Sequence, residues 1–363
     1  MTIVRNEINN HRIVKLAPLE CFTSCILTYL NMSNKDYRRI LLEYWNINYQ
    51  FRTLLASKDA RQMALEFYYG IFVNFSKGNL KDLLVTLTRG NSVIFLCTAS
   101  KLSYFPRNML GLEASGFQHS ILICGWNQDS KRFLIVDPMV DFIGEINEEE
   151  LIPSGYRRST HQELLFFEIG NQPEHDFQEP TAEHQFAFAS MRNNSFFETD
   201  KLKREPMIAE QQGQLSTKQR SWMEWFSNRH SGGKALEMFA KDLTMSKEWP
   251  QNIRSNWIDK NILTISSITL IRKLVWNSYS NLNVMKQEQE EAGENQMQQI
   301  TIYWQNLNIK LMRYKQTSSN EVVNLDPLLR NINQIKTIEL EFLKWMEEVG
   351  RSIYSENGES TVH

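Results

Sequence analysis

Cysteine is scarce in this chain, with four among 363 residues. That is too few for a disulfide scaffold, so each cysteine is either catalytic or a small buried apolar group. No stretch approaches the roughly 18 consecutive apolar residues that a membrane-spanning helix needs. Residues 1–11 contain no apolar core of the kind a secretory signal carries, so the expected compartment is the reducing cytoplasm. Charge of one sign is also missing. Lys and Arg number 40 against 42 Asp and Glu, a net charge of -2, which removes any general reason to expect nucleic acid or an anionic membrane as partner. Neither GxxxxGK[ST] nor GxGxxG occurs, so there is no glycine-rich phosphate loop. No Cys or His pair except Cys21/Cys25 has the close spacing of a structural zinc site, and no second pair matches it, so no metal is expected. Internal repeats are absent as well.

What the chain does have is core-forming material. It is 42% hydrophobic, with 20 Phe, 12 Tyr and 9 Trp, and it is long enough for two domains. Residues 13–17 read as a short strand or extended arm leading to Pro18. Helical patterns follow at 21–30, 33–45, 58–69 and 80–87, the second opened by the capping signal Ser33-Asn34-Lys35-Asp36. The texture then changes to short β-branched runs at 92–97, 118–126 and 132–138, with a helical piece near 147–151 and a last strand at 163–169. The turn formers Asn127-Gln128-Asp129-Ser130 join two of these runs into a hairpin. Between the first two strands lies a loop, 100–116, rich in Ser, Pro, Gly and Asn. Helices first and then a mostly antiparallel sheet is an α+β order rather than alternating βαβ.

Residues 171–214 turn polar and carry Pro173, Pro180 and Pro206, which marks a linker or loosely packed excursion. Beyond it the pattern is helical at 217–228, 234–245, 251–285, 296–315 and 325–349. Trp222, Trp225, Trp249, Trp257, Trp276, Trp304 and Trp345 recur there at core spacing. The amide-rich, charged stretch 287–299 reads as a solvated helix end or loop. The expected organisation is therefore a first domain over 1–170, a linker over 171–214 and an all-α domain over 215–363.

Three residues can be assembled into one site. Cys21 begins the helical pattern 21–30, where the macrodipole and the backbone N–H groups of a first turn favour a thiolate. Taken alone, a cysteine there reads first as a small buried hydrophobe, and a reactive role depends on a base elsewhere in the chain. His119 begins one strand of the expected hairpin, and Asp137 ends the other just before Pro138. Hairpin pairing brings both to the same open end. There the carboxylate can orient the imidazole, which leaves the ring's second nitrogen for the thiol proton. Nucleophile, base and orienter in that relation are the logic of covalent acyl transfer. Cys25 lies one turn inside the helix and reads as core, as do Cys97 and Cys124 within their strands. His11, His161, His175, His184 and His230 lie in polar contexts and are not expected to act in catalysis.

The blocks Glu20-Cys21-Phe22-Thr23-Ser24-Cys25-Ile26-Leu27, His119-Ser120-Ile121-Leu122-Ile123-Cys124-Gly125-Trp126 and Val136-Asp137-Pro138 resemble the Cys, His and Asp-Pro blocks of papain-like proteins. Double-glycine leader peptidases show this order, usually fused to a transporter. The closer resemblance is to the butirosin biosynthesis protein H family, in which a papain-like domain precedes a helical one; residues 233–243, Gly-Lys-Ala-Leu-Glu-Met-Phe-Ala-Lys-Asp-Leu, look like a recurring block of that second domain. The resemblance covers most of the chain. It implies a papain-like α+β domain and a cytoplasmic acyltransferase of natural-product biosynthesis that binds no cofactor of its own. Such an enzyme takes an acyl group from the phosphopantetheine thioester of an acyl carrier protein or peptidyl carrier domain and passes it to a small-molecule amine. Cys21 is then the nucleophile, His119 the general base and later acid, and Asp137 the orienter. In one respect the chain departs from the peptidase pattern. Where many papain-like enzymes have a Gln upstream of the cysteine, this chain reads Lys15-Leu16-Ala17-Pro18. An oxyanion hole must therefore use the Cys21 backbone N–H and a second donor that the sequence does not identify. This weighs against proteolysis more than against transfer from a reactive thioester. Two alternatives stay open: a cysteine peptidase, amidase or thioesterase with water as acceptor, and a catalytically silent scaffold whose helical half binds a partner. The helical half can equally shape an acceptor pocket, dock the carrier or form a homo-oligomer interface.

Overall fold

The computed structural model describes residues 12–17, 20–56, 61–107, 118–156, 163–171, 177, 179–199, 230–317 and 324–358. The fold is α+β, and it divides into two units, Met1–Arg38 with Gln62–Glu179, and Arg39–Arg61 with Pro180–His363. The expected helix over 217–228, with Trp222 and Trp225, lies outside the described residues, as do Pro18, His11, His161 and His175.

In the first unit, helices α1 (Cys21–Met32), α3 (Arg61–Tyr69), α4 (Leu80–Thr88) and α5 (Glu148–Ser154) accompany a six-stranded sheet. The strands are β3 (Ile71–Gly78), β4 (Ser92–Thr98), β5 (Gln118–Asn127), β6 (Arg132–Asp137), β7 (Phe142–Asn147) and β8 (Leu164–Asn171). Their order is β3-β8-β4-β5-β6-β7, and every neighbouring pair is antiparallel. One face is filled by Val93, Phe95, Ile121, Ile123, Phe133 and Ile135 under Leu83, Leu87 and Leu151 of α4 and α5. α1 lies against β5 and β6. The start of α4 follows from sequence chemistry: the Asn79 side chain accepts from the N–H groups of Lys81 and Asp82, while Asp82 accepts from the Asn79 N–H, a reciprocal capping box. Asn127 likewise closes the β5–β6 turn by accepting from the Asp129 and Ser130 N–H groups.

The second unit is built on α6 (Ala182–Thr199), α7 (Gly232–Met245), α8 (Gln251–Ser280), α9 (Gln287–Gln316) and α10 (Asp326–Gly358). Two features depart from the expected plan. First, the stretch read as a linker contains α6, whose Phe186, Ala189, Phe196 and Phe197 are buried. Second, the helical unit carries a small sheet of order β2-β1-β9, formed by β1 (Ile47–Gln50), β2 (Thr53–Ala56) and β9 (His230–Ser231). Residues 33–45 therefore do not form one helix; α2 covers only Arg38–Leu41. The β1–β2 hairpin has no Asn-Gly signature. Its tip is Phe51-Arg52, both in the left-handed region at φ 50 and φ 58, a conformation bulky residues resist. Asn261 of α8 holds it by accepting from the Leu54 N–H and donating to the Arg52 carbonyl, at 3.0 and 3.1 Å. Arg52 also lies 4.6 Å over the Trp249 ring. The amide-rich 287–299 stretch is the first half of α9 rather than a loop. Gly293 there is required by contact, because a Cβ would fall 2.0 Å from Trp276. No helix among the described residues is long and apolar enough to cross a membrane.

A buried polar node joins the long helices. Arg272 of α8 donates through Nε and Nη2 to both carboxylate oxygens of Glu339 on α10, at 2.7 and 2.9 Å. Trp304 of α9 donates to the same carboxylate at 2.6 Å, and the Trp45 ring lies 4.6 Å from the guanidinium. Both charged side chains are fully buried. Such a pair adds little net stability over an apolar filling, but removing one partner strands the other charge. Glu339→Ala is therefore expected to destabilise the protein by about 3–5 kcal/mol. Glu339→Leu combined with Arg272→Met should recover most of that loss. Urea unfolding followed by tryptophan emission checks both.

Candidate active site

The position of Cys21 begins with the arm ahead of it. Leu16 N–H donates to Ser24 Oγ, Val14 N–H donates to Thr28 Oγ1, and Asn31 Nδ2 donates to the Arg12 carbonyl. Alternate residues of the arm thus meet residues a turn apart on α1. The periods match: two extended residues advance about 6.6 Å, and four helical residues about 6 Å. The arm is extended but joins no sheet, so helix hydroxyl and amide groups supply partners that its backbone would otherwise lack. Glu20 occupies the N-cap position of α1 but makes no capping bond with its side chain; its Oε2 instead accepts from Thr23 Oγ1 at 3.1 Å. Cys21, half-buried, is the first residue of the helix, where the positive end of the macrodipole lies.

His119 and Asp137 come together as the hairpin reading expects, although the hairpin contains a feature that the reading lacks. Near the turn the register pairs Asn127 with Arg132, Trp126 with Phe133 and Gly125 with Leu134. Beyond a bulge at Cys124 it pairs Ile123 with Ile135 and Leu122 with Val136. A regular hairpin would have carried the first register onward, and Asp137 would then point to the face opposite His119. The one-residue bulge reverses the alternation and turns Asp137 onto the His119 face. There His119 Nε2–H donates to Asp137 Oδ2 at 2.7 Å, with both side chains fully buried.

Two residues that the sequence reading passed over complete the surroundings. Tyr104 donates its hydroxyl to the same Oδ2 at 3.0 Å and stacks on Phe142 with ring centroids 4.0 Å apart. Phe105 meets the His119 ring edge-on at 5.0 Å. Asp137 Oδ1 accepts from the Met139 N–H at 3.0 Å, and Lys15 Nζ donates to the Met139 carbonyl at 2.7 Å. The aromatic pair sits in a loop without periodicity. Its one signal is two adjacent aromatic residues in an otherwise polar segment.

The Cys21 side chain is the other hydrogen-bonding neighbour of the imidazole. With Nε2 committed to Asp137, Nδ1 is the ring nitrogen left for that contact. Burial is the strongest single influence on His119 and opposes its protonation. The hydrogen bonds to Asp137 and Cys21, with their charges, outweigh burial and raise its pKa to about 9. The three remaining thiols are held in their neutral form. Cys25 is fully buried and donates to the Ser120 carbonyl at 3.5 Å; burial, with the Cys21 and Asp137 charges, holds its pKa well above the ordinary value. Cys97, directly opposite His119 on β4, is raised in the same way by burial and then by Asp137 and Cys21. Burial pushes Cys124, the half-buried bulge residue, up to about 12. Low-pKa thiols react and buried neutral ones do not. His184, which meets the Tyr354 ring edge-on, and His230, on β9, belong to the other unit. Among the described residues no group of three or more His, Cys, Asp and Glu is arranged to hold a metal.

A histidine raised from 6.5 to about 9 in the folded state contributes stability that is fully present below about pH 6.5 and lost as pH rises through 9. Ring-carbon NMR is expected to find the His119 titration midpoint near 9, and to find it lowered by Cys21→Ala and lowered further by Asp137→Asn. A midpoint near 6.5 in the unaltered protein would contradict the described contacts.

No protein-family model matches this chain, and no curated protein matches it.

Proposed function

We propose that the chain is a cysteine-dependent acyltransferase in which Cys21 takes an acyl group from a carrier-bound thioester and passes it to an amine. The observation that carries this reading is one line of contacts: a half-buried thiol at a helix start, a buried imidazole beside it, and a buried carboxylate on the imidazole's far nitrogen. That is the equipment of covalent acyl transfer, and the resemblance to the butirosin biosynthesis protein H family points the same way.

In the first half-reaction the Cys21 sulfur attacks the thioester carbonyl and an S–C bond forms. The negative charge that develops on the carbonyl oxygen is met by the Cys21 backbone N–H at the helix start. Collapse breaks the bond to the carrier sulfur, which leaves with the proton held on His119 Nδ1. In the second half-reaction the amine attacks the acyl–Cys21 carbonyl, and His119 Nδ1 takes its proton. The C–S bond then breaks and returns Cys21 as thiolate beside the imidazolium. Asp137 keeps its hydrogen bond to Nε2 throughout, holding the ring in the tautomer that leaves Nδ1 free for both transfers. The partners under this reading are an acyl carrier protein or peptidyl carrier domain and a small-molecule amine. The chain needs no cofactor beyond the carrier's phosphopantetheine. A thiol nucleophile also suits the reducing cytoplasm.

Incubation with an acyl-phosphopantetheine thioester, followed by intact-mass measurement, tests the reading. A single acyl adduct is expected, absent from Cys21→Ala, retained in Cys25→Ala, and released faster by added amine than by buffer. His119→Ala should slow its formation by about 10²–10⁴-fold. Release in buffer as fast as with amine would make the protein a hydrolase. No adduct at all would leave a binding scaffold.

A further inference from the structure

Tyr104 is tied to the site by two independent contacts, and the proposed chemistry assigns it nothing. Its ring is fixed by the stack on Phe142, the residue paired with Asp137 across β6 and β7. Its hydroxyl reaches the one carboxylate oxygen that already takes the imidazole proton. A carboxylate oxygen accepts two such bonds readily, but each donor draws charge from it, so the two compete. Burial raises the tyrosine's pKa, with the Asp137 charge next in effect. The hydroxyl therefore stays a neutral donor across the working pH range.

We propose that Tyr104 is a positioning residue for the acyl-transfer triad: its hydroxyl shares Asp137 Oδ2 with His119 Nε2–H and so limits how tightly the carboxylate holds the imidazolium. The role rests on the Cys-His-Asp reading and gives it a balance that the triad alone lacks. A buried carboxylate with no other partner on that oxygen would hold the charged ring so firmly that Nδ1 would give up its proton slowly to the departing carrier thiol. It would also leave less neutral imidazole to receive the amine proton. Tyr104 moderates the carboxylate from one side, while the Met139 N–H occupies Oδ1. The other titratable and charged groups around the pair are Cys21 and Cys25 of α1, Cys97 of β4, and Lys15, whose ammonium group bonds to the Met139 carbonyl. Asp137 Oδ2 accepts from Tyr104 and His119, and Oδ1 from the Met139 N–H.

The test is the His119 ring titration by NMR in Tyr104→Phe, which keeps the stack and removes only the hydroxyl. The expected result is a midpoint about one unit higher than in the unaltered protein. With it should come up to tenfold slower amine-dependent release of the acyl group near pH 8, because less of the imidazole is neutral. Phe142→Leu, which loosens the stack but keeps the hydroxyl, should move the midpoint less than Tyr104→Phe. An unchanged or lowered midpoint in Tyr104→Phe, or a larger shift in Phe142→Leu, would overturn the role. The titration needs no acyl donor. Failure to form an acyl adduct would thus count against acyl transfer and leave this measurement standing, while an unmoved midpoint would remove Tyr104 from the machinery even if Cys21 acylates.

Discussion

The site depends on the 2.7 Å hydrogen bond between His119 and Asp137, made where neither side chain touches solvent. In water such a bond would compete with hydration and hold the ring weakly. In the interior an unpaired carboxylate or imidazolium is costly, so each group effectively requires the other. The consequence reaches the surface through Cys21. A ring held by its Nε2 presents Nδ1 in a fixed direction, and the Cys21 side chain at the start of α1 is the ring's other neighbour. Burial alone would have stripped His119 of its proton; carboxylate and thiol together reverse the sign.

The surrounding structure can be understood as support for that bond. The bulge at Cys124 costs a ladder position, but without it Asp137 would face away from His119. Ser24 and Thr28, placed inside a helix where they are neutral at best as helix formers, tie the arm along α1 through their hydroxyls. That arm carries Lys15 to the Met139 carbonyl, and the Met139 N–H in turn fixes the second oxygen of Asp137. The second unit uses the same device for a different end. The Arg272–Glu339 pair with Trp304 draws three long helices onto one buried carboxylate, where each charge requires its partner.

Much of this was legible in the residue order. The short apolar, β-branched runs at 92–97, 118–126 and 132–138 and the turn formers between the last two read as strands and a hairpin, and they are β4, β5 and β6. The helix starts at Cys21 and Leu80 were also readable, from the helical patterns at 21–30 and 80–87. The bulge was not, because its extra residue, Cys124, is as apolar as its neighbours and interrupts no pattern. The β1–β2 hairpin was hidden for a different reason. Its turn is Phe51-Arg52, held in an unfavourable backbone region by Asn261, some two hundred residues away in sequence, and no local signal announces a turn stabilised from that distance. Tyr104 and Phe105 belong to an aperiodic loop, where only the folded sheet reveals what two aromatic residues cover. The helix α6 was masked by the polar residues and prolines that surround it.

The central claim is that one cysteine of four is made reactive by its imidazole neighbour. The most direct measurement is competitive labelling with limiting iodoacetamide at neutral pH, followed by peptide mapping. Cys21 should be modified at least about tenfold faster than Cys25, Cys97 or Cys124, and His119→Ala should erase that advantage. Equal labelling of another cysteine, or a Cys21 rate indifferent to His119→Ala, would contradict the account.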